Sequence, residues 1–265
     1  MIKLIASDMD GTLLNSKGQL PKDFFKIAKK VLNKGVVFVA ASGRPYHTLR
    51  NNFHEIKDDI LFLAENGAYV MYKGKELYSS TMSKERVHKI IEEARKVPET
   101  NIVLCGKKRA YIENSDDEVF MEEFNKYYHE YEKVDDLLLV EDDIIKVSIH
   151  DKLGSAENSN NIITPVWGEE FQITVSGQVW LDIGKKGINK GKSLRTIQRL
   201  LGVQKEETMV FGDYYNDVEM LGEAYYSYAM KNAPEDVKSY SRFIAKTNDE
   251  EGVIQVIREK VLKEA

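Results

Sequence analysis

The chain has 265 residues, of which 42% are hydrophobic and 31% charged, and its net charge is −5. This composition is typical of a globular protein with one large or two modest domains, and it argues against nucleic acid as the main partner, because nucleic acid usually binds a basic surface. Cys105 is the single cysteine, which excludes an internal disulfide and a thiolate metal cluster. Apolar runs fall short of the roughly 20 residues that span a membrane, and Asp8 comes too early for a signal peptide. We therefore expect a cytoplasmic protein without a membrane partner.

The first predicted strand, Ile2–Ala6, is followed at once by an acidic turn. Asp8 and Asp10 are two positions apart, so in an extended chain their side chains point the same way. Two carboxylates that lie so close repel each other unless a proton or a cation lies between them, and Gly11 permits a sharp turn. A solvated turn and a functional site both agree with this pattern by itself. We interpret Asp8 as a nucleophile.

The next elements alternate between helices and apolar strands. A helix follows Pro21 and ends at Gly35, and a second helix extends to about His54. The apolar runs typical of buried parallel strands are Val36–Ala41 and Ile60–Ala64. A predicted hairpin pairs Tyr69–Tyr72 with Glu76–Tyr78. This order predicts an α/β fold, a Rossmann-like open and mainly parallel sheet with helices on both faces.

The pattern changes near residue 82. Helices are predicted over Met82–Val97 and Asp117–Glu132, the second with aromatic residues at helical spacing. The predicted strands of this region are Ile102–Cys105, Ala110–Ile112, Ile144–His150, Phe171–Val175 and Val179–Ile183. The polar stretch Gly154–Asn161 has no clear assignment. These elements predict an inserted α+β cap domain over residues 82–184, within a core formed by residues 1–81 and 185–265.

At Gly184 the parallel pattern resumes. Asn189 is suited to cap a helix over Lys190–Leu201, which Gly202 ends. The remaining predicted strands are Thr208–Gly212, Tyr225–Ala229 and an edge strand, Phe243–Ala245. The remaining predicted helices begin at Asn216 and Pro234, and a terminal helix covers Glu250–Glu264.

Four short segments carry polar residues at the carboxyl ends of predicted core strands or at the start of a helix beside one. They contain Asp8 and Asp10, then Ser42 and Gly43, then Lys190, and finally Asp213, Asn216 and Asp217. In a parallel sheet these strand ends share one edge, so distant residues can converge there. A hydroxyl, a backbone amide and a lysine at a helix N-terminus suit an anion, and clustered carboxylates suit a hard cation such as Mg²⁺. Each segment alone has a structural explanation, whether a turn, a surface lysine or acids favoured at a helix start, but their ordered co-occurrence favours a site.

The same segments resemble the motifs of a known family. In chain order, four of them resemble the four motifs of the haloacid dehalogenase superfamily, namely Asp8-Met9-Asp10-Gly11-Thr12-Leu13-Leu14, Ala41-Ser42-Gly43-Arg44, Lys190-Gly191 and Gly212-Asp213-Tyr214-Tyr215-Asn216-Asp217. The stretches Glu65-Asn66-Gly67-Ala68 and Asn232-Ala233 resemble its Cof-type sugar-phosphatase branch, which carries a large α/β cap between the second and third motifs. Two departures are Ser42, where Thr is commoner, and the bulky Tyr214-Tyr215 pair.

The resemblance implies a phosphatase that hydrolyses small phosphorylated metabolites, above all sugar phosphates, through an aspartyl-phosphate intermediate. Asp8 would attack phosphorus, and Asp10 would act as general acid and base. The groups implied for Mg²⁺ are the Asp8 carboxylate, the Asp10 backbone carbonyl and Asp213, with Asp217 orienting a metal-bound water or Lys190. The groups implied for the phosphoryl oxygens are Ser42, the Gly43 amide, Lys190 and Asn216. The cap would close over the site and contact the leaving group.

Two alternatives stay open at this stage. A phosphomutase or phosphotransferase would use the same intermediate but pass the phosphoryl group to a second sugar hydroxyl. A phospho-acceptor signalling domain would keep Asp8 phosphorylated, although Asp10 argues against this, because an acid–base group shortens the lifetime of phospho-aspartate. In each case we expect a small phosphorylated partner and a monomer or weak homo-oligomer.

Overall fold

The computed structural model of the protein describes residues 1–114 and 116–263. These residues form two compact units. The core unit combines Met1–Tyr78 with the chain from Asn189 onward, and the inserted unit is Ser79–Ile188. None of the helices in the described ranges combines the length and the apolar character that crossing a membrane requires.

The N-terminal part of the core unit alternates strands and helices. Its elements are β1 (Leu4–Asp8), α1 (Phe24–Asn33), β2 (Val37–Ala41), α2 (Tyr46–Asn51), β3 (Leu61–Ala64), β4 (Tyr69–Tyr72) and β5 (Lys75–Ser79). Helix α1 buries Phe24, Ile27 and Val31, which recur three and four positions apart and therefore form one apolar face. Strands β1 and β3 are buried along their whole length, as expected for strands covered on both faces.

The inserted unit is a sheet with helices packed against it. Its elements are α3 (Lys84–Ala94), β6 (Thr100–Gly106), β7 (Ala110–Glu113), α4 (Glu118–Phe124), β8 (Tyr131–Val134), β9 (Ile144–Asp151), α5 (Ser159–Trp167), β10 (Phe171–Val175) and β11 (Trp180–Lys185). Within the described residues the six strands have the order β10-β11-β9-β6-β7-β8. Apolar side chains of β6, β9 and β11 form one buried cluster with those of α3 and α5.

The predicted helix over Asp117–Glu132 is wrong in its second half. Helix α4 ends at Phe124, and Tyr131–Val134 forms β8, which pairs in parallel with β7. Phe120, Phe124 and Tyr128 are nevertheless core residues, since a turn, rather than further helix, brings the ring of Tyr128 into a stacked contact with Phe124 at 4.7 Å, whereas Tyr127 is exposed. Tyr and Val in the last segment also favour a strand.

Helix α5 begins inside the stretch Gly154–Asn161, which the sequence left unassigned. Its first backbone N–H, that of Ser159, donates to Asp151 Oδ2 at 2.8 Å. The group that satisfies the helix start therefore lies eight residues upstream, at the end of β9, and a local N-cap pattern does not reveal it.

The chain then returns to the core unit. The elements there are α6 (Lys190–Leu201), β12 (Thr208–Gly212), α7 (Val218–Leu221), β13 (Tyr226–Met230), α8 (Glu235–Lys238), β14 (Phe243–Ala245) and α9 (Gly252–Ile257), which continues as a π-helical turn over Arg258–Leu262. Asn189 caps α6 as predicted, since its side chain accepts from the Lys192 amide at 2.7 Å. The predicted terminal helix begins at Gly252 rather than at Glu250. Its predicted last residue, Glu264, lies outside the described residues.

The described strands of the core unit form one sheet of eight, in the order β14-β13-β12-β1-β2-β3-β4-β5. Pairing is parallel from β14 through β3, and β4 joins β3 antiparallel. The predicted fold class, a Rossmann-like and mainly parallel core with an inserted α+β domain, is confirmed. Strand β1 lies in the middle of the parallel part, which places its carboxyl end where open α/β sheets bind ligands.

Candidate active site

The candidate site lies at the carboxyl edge of β1, β2 and β12. Asp8, the last residue of β1, lies opposite Ala41 of β2, and Ser7 lies opposite Phe211 of β12. Ser42 follows Ala41 by one position and Asp213 follows Phe211 by two, so both leave their strands at the level of Asp8. The strand register therefore brings three of the predicted site segments together.

Lys190, the third predicted site segment, forms hydrogen bonds with Asp8 of the first segment and Asp217 of the fourth. It is the first residue of α6, its side chain is fully buried, and its Nζ donates to Asp8 Oδ1 at 2.5 Å and to Asp217 Oδ1 at 2.7 Å. Burial lowers the pKa of Lys190, but the charges of Asp217 and Asp8 outweigh this and raise the pKa above its ordinary value. Lys190 is therefore a permanent cation between two buried carboxylates.

Asp217 holds the fourth segment in place. Its Oδ1 accepts from Lys190, and its Oδ2 accepts from the backbone amides of Asp213 at 3.0 Å and Tyr214 at 3.2 Å. Both oxygens of this buried carboxylate are thus engaged by the protein itself. The arrangement fixes Lys190 and the turn after β12 relative to each other.

The carboxylates of the site carry more negative charge than Lys190 can neutralise. Burial raises the pKa of Asp8 well above its ordinary value, and the charge of Asp217 raises it further, while Lys190 lowers it. Burial also raises the pKa of Asp213 to about 6, despite the hydrogen bond that Thr12 Oγ1 donates to it. Such shifts show that the charged forms lack compensation.

The same residues fit a hard divalent cation. Oxygens of Asp8, Asp213 and Asp217 lie within 4.8 Å of one another. Oxygen-only donors with an excess of negative charge are what Mg²⁺ requires in a protein. Because both oxygens of Asp217 are already engaged, Asp8 and Asp213 are the side chains best suited to hold the ion.

Asp10 is held apart from this cluster by an arginine. Its half-exposed carboxylate accepts from Arg44 Nε at 2.9 Å and from Arg44 Nη2 at 2.6 Å. A bidentate pair of this kind fixes the orientation of the carboxylate as well as its position. Sequence reasoning missed this role, although Arg44 directly follows the predicted Ser42-Gly43 segment.

A turn after β3 also borders the site; the sequence analysis noted this stretch only as a resemblance to the Cof-type branch and assigned it no role. Asn216 Nδ2 donates to Asn66 Oδ1 at 3.1 Å, and a Cβ placed on Gly43 would lie 3.0 Å from Asn66 Nδ2. Asn66 thus bridges the second and fourth segments. The available signal was the polar sequence after a buried strand, the same strand-end rule that selected the other segments.

Gly11 is required by the close approach of two segments. Its φ is 78°, in the left-handed region, and a Cβ there would lie 2.3 Å from Asp213 Oδ2. A side chain at position 11 would therefore displace Asp213, so glycine is needed for space as well as for backbone conformation.

Comparisons with known proteins agree with this geometry. Residues 5–257 match the family model described as haloacid dehalogenase-like hydrolase. A phosphatase of Escherichia coli, YbjI, named for 5-amino-6-(5-phospho-D-ribitylamino)uracil, is 35% identical over 99% of this chain and 97% of its own length. YcsE of Bacillus subtilis, which carries the same substrate in its name, is 28% identical over 98% of this chain and 96% of its own.

Solved structures give the same result. SMU.1108c from Streptococcus mutans superposes with a TM-score of 0.85 at 33% identity and covers 99% of this chain and 100% of its own. TM0651 from Thermotoga maritima superposes with a TM-score of 0.88 at 26% identity, and the match covers 98% of this chain and 97% of TM0651. The resemblance inferred from the motifs is confirmed, and the chain belongs to the haloacid dehalogenase-like hydrolases, a family of enzymes.

Proposed function

We propose that the chain is a Mg²⁺-dependent phosphatase that hydrolyses small phosphorylated metabolites through an aspartyl-phosphate. The observation that carries this proposal is the buried group Asp8–Lys190–Asp217, with Asp213 beside it. A carboxylate nucleophile, a fixed cation and a set of oxygen donors at one strand edge are what phosphoryl transfer needs, because catalysis there consists mainly of positioning and charge stabilisation.

In the proposed reaction an oxygen of Asp8 attacks phosphorus and the bond between phosphorus and the ester oxygen breaks. The result is an acyl phosphate on Asp8, which water then hydrolyses to inorganic phosphate and free Asp8. Lys190 favours the ionised form of Asp8, because its ammonium group is 2.5 Å from the carboxylate. Asp217 acts as a positioning residue for Lys190.

Asp10 is proposed to donate a proton to the departing alcohol and then to accept one from the attacking water. The bidentate pair with Arg44 fixes where this carboxylate lies, and a proton can be transferred only when one of those two hydrogen bonds opens. Asp8, Asp213 and the Asp10 backbone carbonyl would hold Mg²⁺. When bound, the ion neutralises charge on the phosphoryl oxygens and reduces their repulsion from Asp8.

The phosphoryl oxygens are proposed to bind at Ser42, the Gly43 amide, Lys190 and Asn216. Ser42 is buried, and its Oγ accepts from the Arg44 amide at 3.1 Å, so its hydroxyl hydrogen is free to point to a ligand. The proposed division of labour gives the chemistry to residues 1–81 and 185–265, and makes residues 82–184 the cap.

The substrate is proposed to be the phosphate ester of a sugar or sugar alcohol. Support comes from relatives such as YbjI and YcsE, which are named for a substrate with a phosphorylated ribityl chain. That compound is therefore the first to test, followed by hexose and pentose phosphates.

The test is release of inorganic phosphate from this panel and from an aryl phosphate, with Mg²⁺ and with excess chelator, beside the Asp8→Asn variant. We expect release that needs both Mg²⁺ and Asp8. A wild-type protein without Mg²⁺-dependent release from any of these esters contradicts the proposal. Conversion of a hexose 1-phosphate to a 6-phosphate without loss of phosphate assigns a mutase instead.

A further inference from the structure

The turn Glu65–Gly67, directly after β3, has an unusual backbone. Its φ angles are 51°, 52° and 100°, so all three residues lie in the left-handed region, and two of them are not glycine. Asn tolerates this region, whereas Glu rarely adopts it. A strained conformation of this kind persists only where the surroundings impose it, and such positions cluster at functional sites.

Hydrogen bonds to two neighbouring segments of the site hold the turn in this conformation. The Glu65 and Asn66 amides donate to the carbonyls of Arg44 at 3.1 Å and Ser42 at 3.0 Å. On the other side, the Gly67 carbonyl accepts from Ser193 Oγ of α6 at 2.7 Å. The turn is thus fastened to the segment after β2 and to the helix that begins with Lys190.

This anchoring aims the side chain of Asn66. Its Oδ1 is occupied by Asn216 Nδ2 at 3.1 Å, so its Nδ2 group points away from that partner. The Nδ2 atom lies where a side chain on Gly43 would collide with it, and in the described part of the chain it donates to no acceptor. The side-chain amide of Asn66 therefore lies against the backbone of Gly43, at the strand edge that carries Asp8.

We propose that Asn66 is a further phosphoryl-binding residue, whose Nδ2 group donates a hydrogen bond to a phosphoryl oxygen while Asn216 fixes its orientation. This inference rests on the proposed phosphatase function. It explains why the chain keeps a strained turn here, and why the residue before Arg44 is glycine, which admits the amide of Asn66 at close range.

Two substitutions test the side-chain amide of Asn66 separately from the backbone conformation of the turn. Asn66→Asp keeps the shape and the acceptor for Asn216 but replaces the donor by a negative charge. Asn66→Gly keeps the left-handed backbone but removes the amide. Asn51→Asp, an exposed position at the end of α2, is the matched control. The readouts are kcat/KM for phosphate release and the inhibition constant of inorganic phosphate as a competitive product.

For Asn66→Asp we expect kcat/KM to fall, and the inhibition constant of phosphate to rise, by roughly 10- to 100-fold, the range of a lost hydrogen bond to a charged group. Asn66→Gly should weaken phosphate binding by about tenfold or less, and Asn51→Asp should match wild type. If Asn66→Asp does not fold, Asn66→Gly decides, and unchanged phosphate inhibition in that variant overturns the inference.

An Asn216→Ala background distinguishes direct contact from mere positioning. If Asn66 binds phosphate itself, the uncharged change Asn66→Gly weakens phosphate inhibition further in this background. If the double variant equals Asn216→Ala, the inference is overturned while the phosphatase function stands. If the wild-type protein shows no Mg²⁺-dependent phosphate release, both the proposed function and this inference are contradicted.

Discussion

Two buried aspartates, Asp8 in the core unit and Asp151 in the inserted unit, are held in opposite ways. Asp151 accepts from the Leu153 amide at 3.0 Å, from Asn158 Nδ2 at 3.1 Å and from the Ser159 amide at 2.8 Å. Although burial raises the pKa of Asp151, these hydrogen bonds outweigh it and hold the pKa below its ordinary value. For Asp8 burial prevails and the pKa is raised.

The difference separates a carboxylate with a structural role from the one that we propose to be the nucleophile. Asp151 is satisfied by the protein itself, so its charge stabilises the start of α5. Asp8 shares a single lysine with Asp217, so part of its charge is unmet, and unmet buried charge lowers stability. Perturbed groups of this kind are typical of sites that complete their interactions with a ligand. The predictions that follow test this contrast.

The largest expected effect is the loss of turnover in Asp8→Asn. We expect kcat to fall by at least ~10³-fold, because the amide is not a nucleophile for phosphorus. Since the change removes a poorly compensated charge, the thermal midpoint should stay the same or rise. Phosphate release and differential scanning fluorimetry on the same preparation check both parts, and a clear loss of stability contradicts the contrast with Asp151.

Lys190→Met should be next in size. It leaves Asp8 and Asp217 as buried carboxylates without their cation, which costs about 3–5 kcal/mol. Lys192→Met is the matched control, because Lys192 is exposed on the same helix, and it should shift stability by less than about 0.5 kcal/mol. Hydrogen exchange of β1 and β12 measures the change, and equal effects of the two variants contradict the assigned role of Lys190.

Asp151→Ala should destabilise the inserted unit by roughly 3 kcal/mol, because several donors lose a charged acceptor. The two tryptophans of the chain, Trp167 and Trp180, both lie in this unit. Urea unfolding followed by tryptophan fluorescence therefore reports on the inserted unit. Exposed Asp116 supplies the control, and Asp116→Ala should leave the transition unchanged.

Mg²⁺ should stabilise the protein as a ligand of the folded core unit. At a concentration of about 100 times Kd the expected gain is about 2.7 kcal/mol. The thermal midpoint should rise with added Mg²⁺ and fall back with chelator, and Asp213→Asn should abolish most of the rise. Equal stabilisation of wild type and Asp213→Asn excludes Asp213 as a ligand.

The smallest expected effect is a pH dependence in the inserted unit. The hydrogen bond from Lys152 lowers the pKa of Asp117 to about 2. Because the folded pKa lies below the unfolded one, Asp117 contributes stability above pH ~4 and loses it as the pH falls toward 2. Asp117→Asn keeps a helix cap at α4 but removes the charge, together with the oxygen that accepts from Lys152 and Asn101.

After allowance for solvent screening we expect Asp117→Asn to cost about 1 kcal/mol at neutral pH and almost nothing near pH 2. Urea unfolding by tryptophan fluorescence at both pH values measures it. A cost that persists at low pH contradicts the electrostatic origin of this contribution.

The sequence predicted the parallel core well, because its buried strands are unbroken apolar runs and polar residues follow them directly. It failed where distant partners decide local structure. The Asp151 carboxylate that starts α5 lies eight residues before the helix, outside a local N-cap pattern, and Tyr131–Val134 becomes a strand through its pairing with β7.

The same distinction holds within the candidate site. Strand ends and helix starts indicated Asp8, Lys190 and Asp213, which the structure brings to one edge. The contacts of Arg44 with Asp10 and of Asn66 with Asn216 depend on side-chain directions in three dimensions, and sequence spacing does not encode these.

The central claim is that Asp8 carries the phosphoryl group during turnover. The most direct measurement is acid quenching of the Asp10→Asn variant during turnover of an aryl phosphate, followed by mass spectrometry of the peptide containing position 8. Asp10→Asn should slow hydrolysis of the intermediate more than its formation, because an aryl leaving group needs little protonation. We predict that this peptide gains the mass of one phosphoryl group at Asp8, and that Asp8→Asn abolishes the gain. Mg²⁺-dependent phosphate release that persists in Asp8→Asn, or a phosphoryl group on another residue, would contradict the account.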